Sequence, residues 1–376
     1  MTPEPRERSE DVVWGNDGVE HLHVLARAPR AAGSTEEREA REYCAGVLRT
    51  LGFECSIESF SYSALPGRYG TPVSGAIGMA SVLVAFWLAT VEGAPRAAAI
   101  AFAAGILLLV LFAWLMLGDG VLDLPWLRVA GENLVARRGD APPRVWLVAH
   151  VDSKSQPLPT RLRMAGIAML GASIVLTIVA LALTLGTDSP RIILWMVCAA
   201  LAAVGGRAVV ASVVRNDSPG AVDNASGVAA VLAAAALLDR SAAVGVLIPS
   251  AEELGLAGAR AWVRAHGGER AYVLNCDGVD DQGELILMYT RTRPAPIVAA
   301  VEHAAGAVRT RRMPPGLLLD SVAFADAGWT AATLSHGSMQ TLARVHTRAD
   351  ALDTLTGSQV DPMGWVLARA AEALAR

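Results

Sequence analysis

The fold is decided by residues 221–276, which read AVDNASGVAAVLAAAALLDRSAAVGVLIPSAEELGLAGARAWVRAHGGERAYVLNC. Apolar residues at helical spacing in this stretch predict one helix over 225–238 and another over 255–266. Short apolar runs bounded by turn residues predict strands over 243–249 and 271–276. Because helices and strands alternate, the stretch is typical of an α/β protein with parallel central strands.

The flanking sequence adds further elements to the same sheet. Residues 34–52 predict an amphipathic helix that begins at an N-cap, Ser34 or Thr35. Further strands are predicted over 53–62, 132–138, 144–150 and 330–335, and a last helix over 357–375. The strands 132–138 and 144–150 are separated by a short turn, which favours an antiparallel pair. We therefore expect an α/β fold with a mixed, mainly parallel central sheet flanked by helices.

The composition is more apolar than that of an ordinary soluble protein. The chain has 376 residues and a mass of 39.2 kDa, with 53% hydrophobic residues, 18% charged residues and a mean hydropathy of +0.39. Typical domains have roughly 45–50% apolar and 25% charged residues, so a disordered chain, a collagen and a disulfide scaffold are excluded. The net charge is −4 and no basic run is present, so we expect no nucleic-acid partner. Four cysteines without framework spacing favour a reducing compartment.

The apolar excess lies in stretches that are long enough to cross a bilayer. Three stretches contain no charged residue, and they lie between Arg68 and Glu92, between Arg96 and Asp119, and between Arg163 and Asp188. A fourth, over 192–214, is interrupted by Arg207, whose guanidinium could reach the lipid headgroups. A spanning helix needs about 20 apolar residues. We therefore predict four transmembrane helices in two hairpins, 67–117 and 161–213; buried core helices of a large soluble domain are the alternative.

The arginines predict on which side of the membrane the rest of the chain lies. Short turns at 92–96 and 187–191 return each hairpin to the side on which it started. On that side the hairpins are flanked by Arg68, Arg128, Arg161, Arg163, Arg207 and Arg215. By the positive-inside rule we expect an integral, multi-pass membrane protein whose bulk is cytoplasmic, and residues 1–15 lack the apolar core of a signal peptide. The pieces expected to form one domain are 1–66, 118–160 and 214–376.

Acidic and histidine side chains gather where the predicted strands end. They are His150 and Asp152 after one strand, Asp223 just before a helix, Glu252 and Glu253 after the next strand, Asp277 after another, and His346 in a later loop. Open α/β sheets place their sites at the carboxyl ends of the strands. Each residue taken alone is more often structural, but imidazoles and carboxylates together are groups that zinc accepts, and two metal ions can share one carboxylate. The sequence therefore predicts a metal site at this edge.

Five motifs around these residues occur in a fixed order along the chain. They are HVDSK (150–154), GAVDNASGVAAVL (220–232), SAEELGLAGARAWV (250–263), NCDGV (275–279) and VHTRADALDTL (345–355). Together they resemble the co-catalytic zinc aminopeptidases of the M28 metallopeptidase family. Residues 23–54 also resemble the opening of that family's catalytic domain, so the resemblance covers nearly all of the chain outside the hairpins.

The resemblance implies a zinc peptidase-like catalytic domain with two Zn²⁺ per chain. The implied ligands of one zinc are His150, Asp223 and Asp277, and those of the other are Asp223, Glu253 and His346, with Asp223 bridging. By the same resemblance, Asp152 orients His150 and Glu252 is the general base. The implied function is an aminopeptidase in which a zinc-activated water hydrolyses a peptide or related amide bond, and the predicted transmembrane hairpins make it membrane-integrated.

Three departures from the family pattern leave the substrate preference open. Val222 precedes the bridging Asp223, Arg348 replaces the proline of the last motif, and Leu-Asp-Ser at 319–321 stands where the family has Ser-Asp-His. Arg348 either contacts an anionic group or lies at the surface. None of these departures removes a ligand, and the oligomeric state stays open.

Two other functions fit parts of the same pattern. A glutaminyl cyclase-like acyltransferase with a single zinc is one, because those enzymes resemble this chain at HVDSK and at the paired glutamates, Glu252 and Glu253. A non-catalytic membrane scaffold on a peptidase fold is the other. The complete ligand set favours the two-zinc hydrolase over both.

Both hairpins are expected to leave the sheet at the edge that carries the site. The first lies between the strands 53–62 and 132–138, and the start of the latter is expected near the carboxyl end of the strand 144–150. The second hairpin follows Asp152 closely. We therefore hypothesise that the site faces the membrane surface and takes a hydrophobic or membrane-associated substrate.

Overall fold

A computed structural model describes residues 17–118, 120–139, 141–187, 189–268, 270–314 and 316–376. The strands are β1 (Glu54–Ser63), β2 (Arg128–Arg137), β3 (Val145–Val148), β4 (Val244–Ile248), β5 (Tyr272–Val279), β6 (Glu284–Tyr289), β7 (Arg309–Arg312) and β8 (Thr330–Gly337). The helices are α1 (Asp17–Leu25), α2 (Thr35–Thr50), α3 (Thr71–Thr90), α4 (Pro95–Met116), α5 (Gly120–Asp123), α6 (Thr160–Thr187), α7 (Ile192–Val210), α8 (Gly227–Leu237), α9 (Ala257–Ala265), α10 (Ala295–Ala305), α11 (Asp320–Asp326), α12 (Thr341–Arg344) and α13 (Val360–Ala375). The N-terminal residues 1–16, which bear on the signal-peptide prediction, and Asp188 of the second hairpin turn lie outside the described residues.

The strands form one mixed sheet in the order β1-β2-β4-β3-β5-β8-β6-β7. At its centre β4, β3, β5 and β8 are parallel to one another. On one side β2 runs antiparallel to β4, and β1 runs antiparallel to β2. On the other side β6 runs antiparallel to β8. These strands come from all three pieces of the chain outside the hairpins. The prediction of a mixed, mainly parallel sheet flanked by helices is confirmed.

The predicted pairing of the strands 132–138 and 144–150 is wrong. β4 lies between β2 and β3, with Leu134 of β2 opposite Ile248 and Val145 of β3 opposite Val244. Every residue of β4 is buried. A strand that is apolar on both faces is best stabilised at the centre of a sheet, where it has a partner on each side. The short turn between β2 and β3 keeps them close but leaves room for this one strand.

Helices cover both faces of the sheet. Alternate residues of a strand point to opposite faces, so Val145 and Leu147 join one core and Trp146 joins the other. The first core includes α1, α2, α8, α10 and α13. The second includes α9 and α11, and its centre is an edge-to-face contact between Trp146 and Trp262, with ring centroids 4.9 Å apart. The predicted N-cap is also present, because the Glu37 amide donates to Ser34 Oγ at 3.1 Å.

Among the described residues, four helices are long and apolar enough to cross a membrane. They span Pro66–Thr90, Pro95–Met116, Thr160–Thr187 and Ile192–Val210. α3, α6 and α7 pack closely through small residues: a Cβ added to Gly166 would lie 2.6 Å from Ala208 Cβ, and one added to Gly75 would lie 2.7 Å from a methyl of Val209. α4 packs mainly on α3 and leaves apolar side chains such as Leu107 and Trp114 exposed. Large exposed apolar surfaces of this kind mark sites that contact a membrane or another protein.

Both hairpins join the sheet next to the carboxyl ends of its central strands. At the start of the first, Gly67 lies so close to Leu254 that an added Cβ would be 2.4 Å from the Leu254 Cα. At the start of the second, the Gln156 amide donates to the His346 carbonyl oxygen at 2.8 Å. The hairpins are therefore attached directly to loops in which the sequence predicts site residues.

Candidate metal centre

The side chains that the sequence singles out lie together at the carboxyl edge of the sheet. His150 and Asp152 follow β3, Asp223 precedes α8, Glu252 and Glu253 follow β4, Asp277 lies in β5, and His346 lies in the loop after β8 and α12. Two groups of three have one ligand atom from each member within 4.8 Å of the others, and they are His150, Glu252 and Asp277, and Asp223, Glu253 and His346. The second group is one of the two implied ligand sets. In the first, Glu252 stands where the resemblance implies Asp223.

Asp223 lies between the two imidazoles. Its Oδ1 is 3.3 Å from His150 Nε2 and its Oδ2 is 2.8 Å from His346 Nε2. Asp277 Oδ2 is 3.8 Å from the same nitrogen of His150. Glu253 Oε1 is 3.2 Å from His346 Nε2. The carboxylate of Asp223 therefore touches both groups, which is the position of a shared ligand.

Asp350 holds the turn that carries Asp223. Its two carboxylate oxygens accept hydrogen bonds from the amides of Val222 at 2.6 Å and Asp223 at 3.1 Å. Burial raises the pKa of Asp350 to about 7, although these amide hydrogen bonds favour the ionised form. On the other side of the turn, Asn224 Nδ2 donates to the Cys276 carbonyl oxygen at 2.9 Å and ties the turn to β5.

Asp152 supports both the imidazole and the glutamates. Its carboxylate accepts hydrogen bonds from the amides of Glu252 at 3.1 Å and Glu253 at 3.2 Å, so it fixes the turn after β4. That turn begins at Ala251, which has a φ of 56° in the left-handed region. His150 Nδ1 is 3.0 Å from the Asp152 carbonyl oxygen and 3.6 Å from its Oδ1. The backbone oxygen is therefore the nearer acceptor for the imidazole.

The electrostatics of the site are set by burial and by the crowding of carboxylates. Burial raises the pKa of Glu252 well above its usual range, and Glu253 adds to the shift while His150 opposes it. Burial works against protonation of His150, but the surrounding carboxylates outweigh it and raise the pKa of this imidazole. So many acidic groups in one buried place are stable only with protons or cations among them.

Sequence reasoning missed three residues at the site, of which Asp320 and Asp350 are buried and Lys154 is partly buried. Lys154 forms an ion pair with Glu253 Oε2, Asp350 holds Asp223 as described, and Asp320 is fully buried with both carboxylate oxygens lacking a hydrogen-bond partner among the described residues. Burial raises the pKa of Asp320 to about 8, and the charge of Asp277 adds to this shift. The only signal for Asp320 was its place in the altered triplet at 319–321.

Arg348 lies at the surface, with a side chain 80% exposed and 3.1 Å from an oxygen of Asp217.

The donor set fits zinc. His150 Nε2, Glu253 Oε1 and Asp277 Oδ2 are buried and have no hydrogen-bond partner in the described part of the chain. Buried polar atoms normally have a partner, so three such atoms in one place point to a ligand. Imidazole nitrogen and carboxylate oxygen are the donors that zinc takes when no thiolate is offered.

Comparison with known proteins bears on the family and the fold of the chain. The family model for peptidase family M28 matches residues 133–371. None of the curated proteins matches the chain.

Solved structures with the same fold include aminopeptidases and glutaminyl cyclases. An aminopeptidase from Aneurinibacillus sp. strain AM-1 is 16% identical, with a TM-score of 0.56, over 96% of this chain and 94% of that one. BSAP, a zinc aminopeptidase from Bacillus subtilis, is 14% identical, with a TM-score of 0.55, over 96% and 95% of the two chains. A Fimbriiglobus ruber glutaminyl cyclase is 13% identical, with a TM-score of 0.55, over 100% of both. At such low identity these structures show a common fold.

Proposed function

Because this chain belongs to peptidase family M28, we propose that it is a zinc-dependent aminopeptidase held in a membrane by its four long apolar helices. The observation that carries the proposal is the position of Asp223, whose two carboxylate oxygens face His150 and His346. A carboxylate between two imidazoles is how two metal ions share a ligand. The substrate is a peptide or a related amide.

We assign two zinc ions to the site. One is held by His150, Asp223 and Asp277, and the other by Asp223, Glu253 and His346. When bound, such a zinc pair acidifies a water molecule and polarises the carbonyl of the scissile bond. The ligand atoms that this assignment uses include the buried atoms that lack hydrogen-bond partners, which supports it.

Glu252 is the residue that moves the proton. It is buried, and one of its carboxylate oxygens lies within 4.8 Å of ligand atoms of His150 and Asp277. We assign it as a base and not as a ligand. Its carboxylate takes a proton from the attacking water and gives it to the amine that leaves. Asp152 acts through it, because the Asp152 carboxylate fixes the amides of Glu252 and Glu253.

Substitution Glu252→Gln tests this assignment. We expect the variant to keep the wild-type zinc content and to lose turnover by about 10²–10⁴-fold, since general acid–base catalysis contributes that much. Zinc per chain by plasma mass spectrometry and peptide hydrolysis are the two readouts. The matched control is Glu39→Gln, on the exposed side of α2. Loss of zinc from the Glu252→Gln variant would instead make Glu252 a ligand, as its grouping with His150 and Asp277 allows.

A glutaminyl cyclase is the second candidate. It is favoured by the full coverage of both chains in the comparison with the Fimbriiglobus ruber cyclase. A cyclase would act on peptides with an N-terminal glutamine and release ammonia without shortening the chain. A non-catalytic scaffold would leave every peptide unchanged. The shared position of Asp223, which suits two metals, favours the hydrolase.

The position of the hairpins suggests where the substrate comes from. Gly67, four residues before α3, lies beside Leu254, the residue after Glu253, and α6 begins a few residues after a hydrogen bond between Gln156 and His346. If the hairpins span a membrane, the site lies close to the bilayer surface. We propose that the catalytic part is cytoplasmic, as the flanking arginines indicate, and that the substrate is hydrophobic or associated with the membrane.

A further inference from the structure

Lys154 makes the two oxygens of Glu253 different from each other. Its Nζ forms an ion pair with Glu253 Oε2, whereas Oε1 lies 3.2 Å from His346 Nε2. The side chains of Lys154 and Glu253 are 17% and 3% exposed, so solvent screens their interaction only weakly. One oxygen therefore faces an ammonium group and the other faces the assigned metal ligands.

The free oxygen is the one turned toward His346. Glu253 Oε1 is buried and lacks a hydrogen-bond partner among the described residues, while Oε2 is satisfied by Lys154. A buried carboxylate oxygen without a partner is uncommon unless a cation takes that place. Glu253 thus offers one oxygen to a metal, and the ammonium keeps the second from joining it.

The backbone around Lys154 explains why the ammonium reaches this carboxylate. Lys154 lies in the irregular segment that follows β3 and also carries His150 and Asp152. The amide of Ser153 donates to the Arg30 carbonyl oxygen at 3.0 Å, and that of Ser155 donates to the Arg215 carbonyl oxygen at 2.8 Å. Lys154 is therefore held between two anchored neighbours.

We propose that Lys154 is a positioning residue that holds Glu253 as a one-oxygen ligand and weakens cation binding by the Asp223–Glu253–His346 group. The inference rests on the metal assignment within the proposed function and not on the reaction that it catalyses. An ammonium beside a ligand repels a divalent ion, and it removes one negatively charged donor atom from the metal. A metal with fewer anionic donors is the stronger Lewis acid. The lysine therefore lowers the metal affinity of the site and increases the polarisation of a substrate carbonyl by the metal.

Titration of the metal-free full-length protein with Co²⁺ at pH 8 tests the proposal. Calorimetry gives the dissociation constants, and visible absorbance reports the coordination number. A Glu253→Gln variant identifies which binding step belongs to the group that contains Glu253. In Lys154→Met we expect the dissociation constant of that step to fall by about tenfold or more, with weaker absorbance because coordination increases. Lys154→Arg keeps the charge and the donor and is expected to behave as wild type.

Arg348→Met removes an exposed arginine near His346 and is expected to leave both dissociation constants unchanged. Unchanged or weaker Co²⁺ binding in Lys154→Met would overturn the proposal, and Lys154→Gln provides the same neutralisation should the methionine variant fail to fold. Co²⁺ binding without peptide hydrolysis would contradict the proposed function and leave the role of Lys154 standing. A wild-type protein that binds no Co²⁺ would overturn both.

Discussion

At the scale of single residues, the sequence predicts the candidate ligands but not the residues that hold them in place. His150, Glu253 and Asp277 each stand at the end of an apolar strand, so their meeting at one edge follows from the topology of an α/β sheet. Asp350 and Lys154 carry no such signal. The hydrogen bond from the Val222 amide to Asp350 joins residues 128 positions apart, and only the folded chain shows that contact.

Asp350 is expected to be as important to metal binding as a ligand. In Asp350→Ala, the amides of Val222 and Asp223 lose their acceptors, and Asp223 is no longer held between the imidazoles. We expect zinc affinity to fall about 10–100-fold. Competition with a chelator of known affinity measures this change. The control is Asp353→Ala, an exposed aspartate in the same loop; equal zinc affinity in the two variants would show that Asp350 does not position Asp223.

At the scale of elements, the helices and strands that were predicted lie within a few residues of observed ones, whereas the predicted pairing of the strands 132–138 and 144–150 is wrong and β6 and α10 were not predicted. The predicted helix 255–266 is observed as Ala257–Ala265 and the predicted strand 243–249 as Val244–Ile248. β7 was missed because its sequence, Arg-Thr-Arg-Arg, has no apolar pattern, and it lies at the sheet edge, where charged residues are tolerated. The place of β4 between β2 and β3 depends on a crossover that local sequence does not encode.

The contact between the first hairpin and the turn after β4 gives a prediction at this scale. Gly67→Ala places a Cβ against the backbone of Leu254, so one of the two segments must shift, at a cost of about 1–3 kcal/mol for overpacking. We expect lower activity and a lower melting temperature in Gly67→Ala. Gly46→Ala, in α2, is the control because an added Cβ there meets no atom within 4 Å. Equal activity and melting temperature in the two variants would contradict the contact.

At the scale of the whole molecule, the helical hairpins and the candidate metal site share one edge of the sheet. The apolar stretches predict the four long helices directly. Only the structure shows that the hairpins contact the turn at Leu254 and the loop that carries His346. Because β2 runs antiparallel to β4, its start lies at the carboxyl edge of the sheet, where the sequence predicted the first hairpin.

The orientation in the membrane can be measured with cysteine labelling in intact cells. Cys44, Cys198 and Cys276 are buried, so a Cys55→Ser background leaves little native thiol to react. We expect Glu92→Cys, in the first hairpin turn, to react with an impermeant maleimide from outside. Arg348→Cys, near the site, is expected to react only after the cells are permeabilised. The reverse pattern would place the site outside the cytoplasm, and labelling of both variants in intact cells would contradict membrane integration.

The central claim is that this chain removes N-terminal residues from peptides by zinc chemistry. The most direct test is mass spectrometry of a peptide pool with free, blocked and N-terminal glutamine peptides, incubated with the zinc-loaded protein in detergent. The account predicts that free peptides lose single N-terminal residues, that blocked peptides stay intact, and that a chelator abolishes the reaction. Loss of ammonia alone from the glutamine peptides, or no change in any peptide, would contradict it.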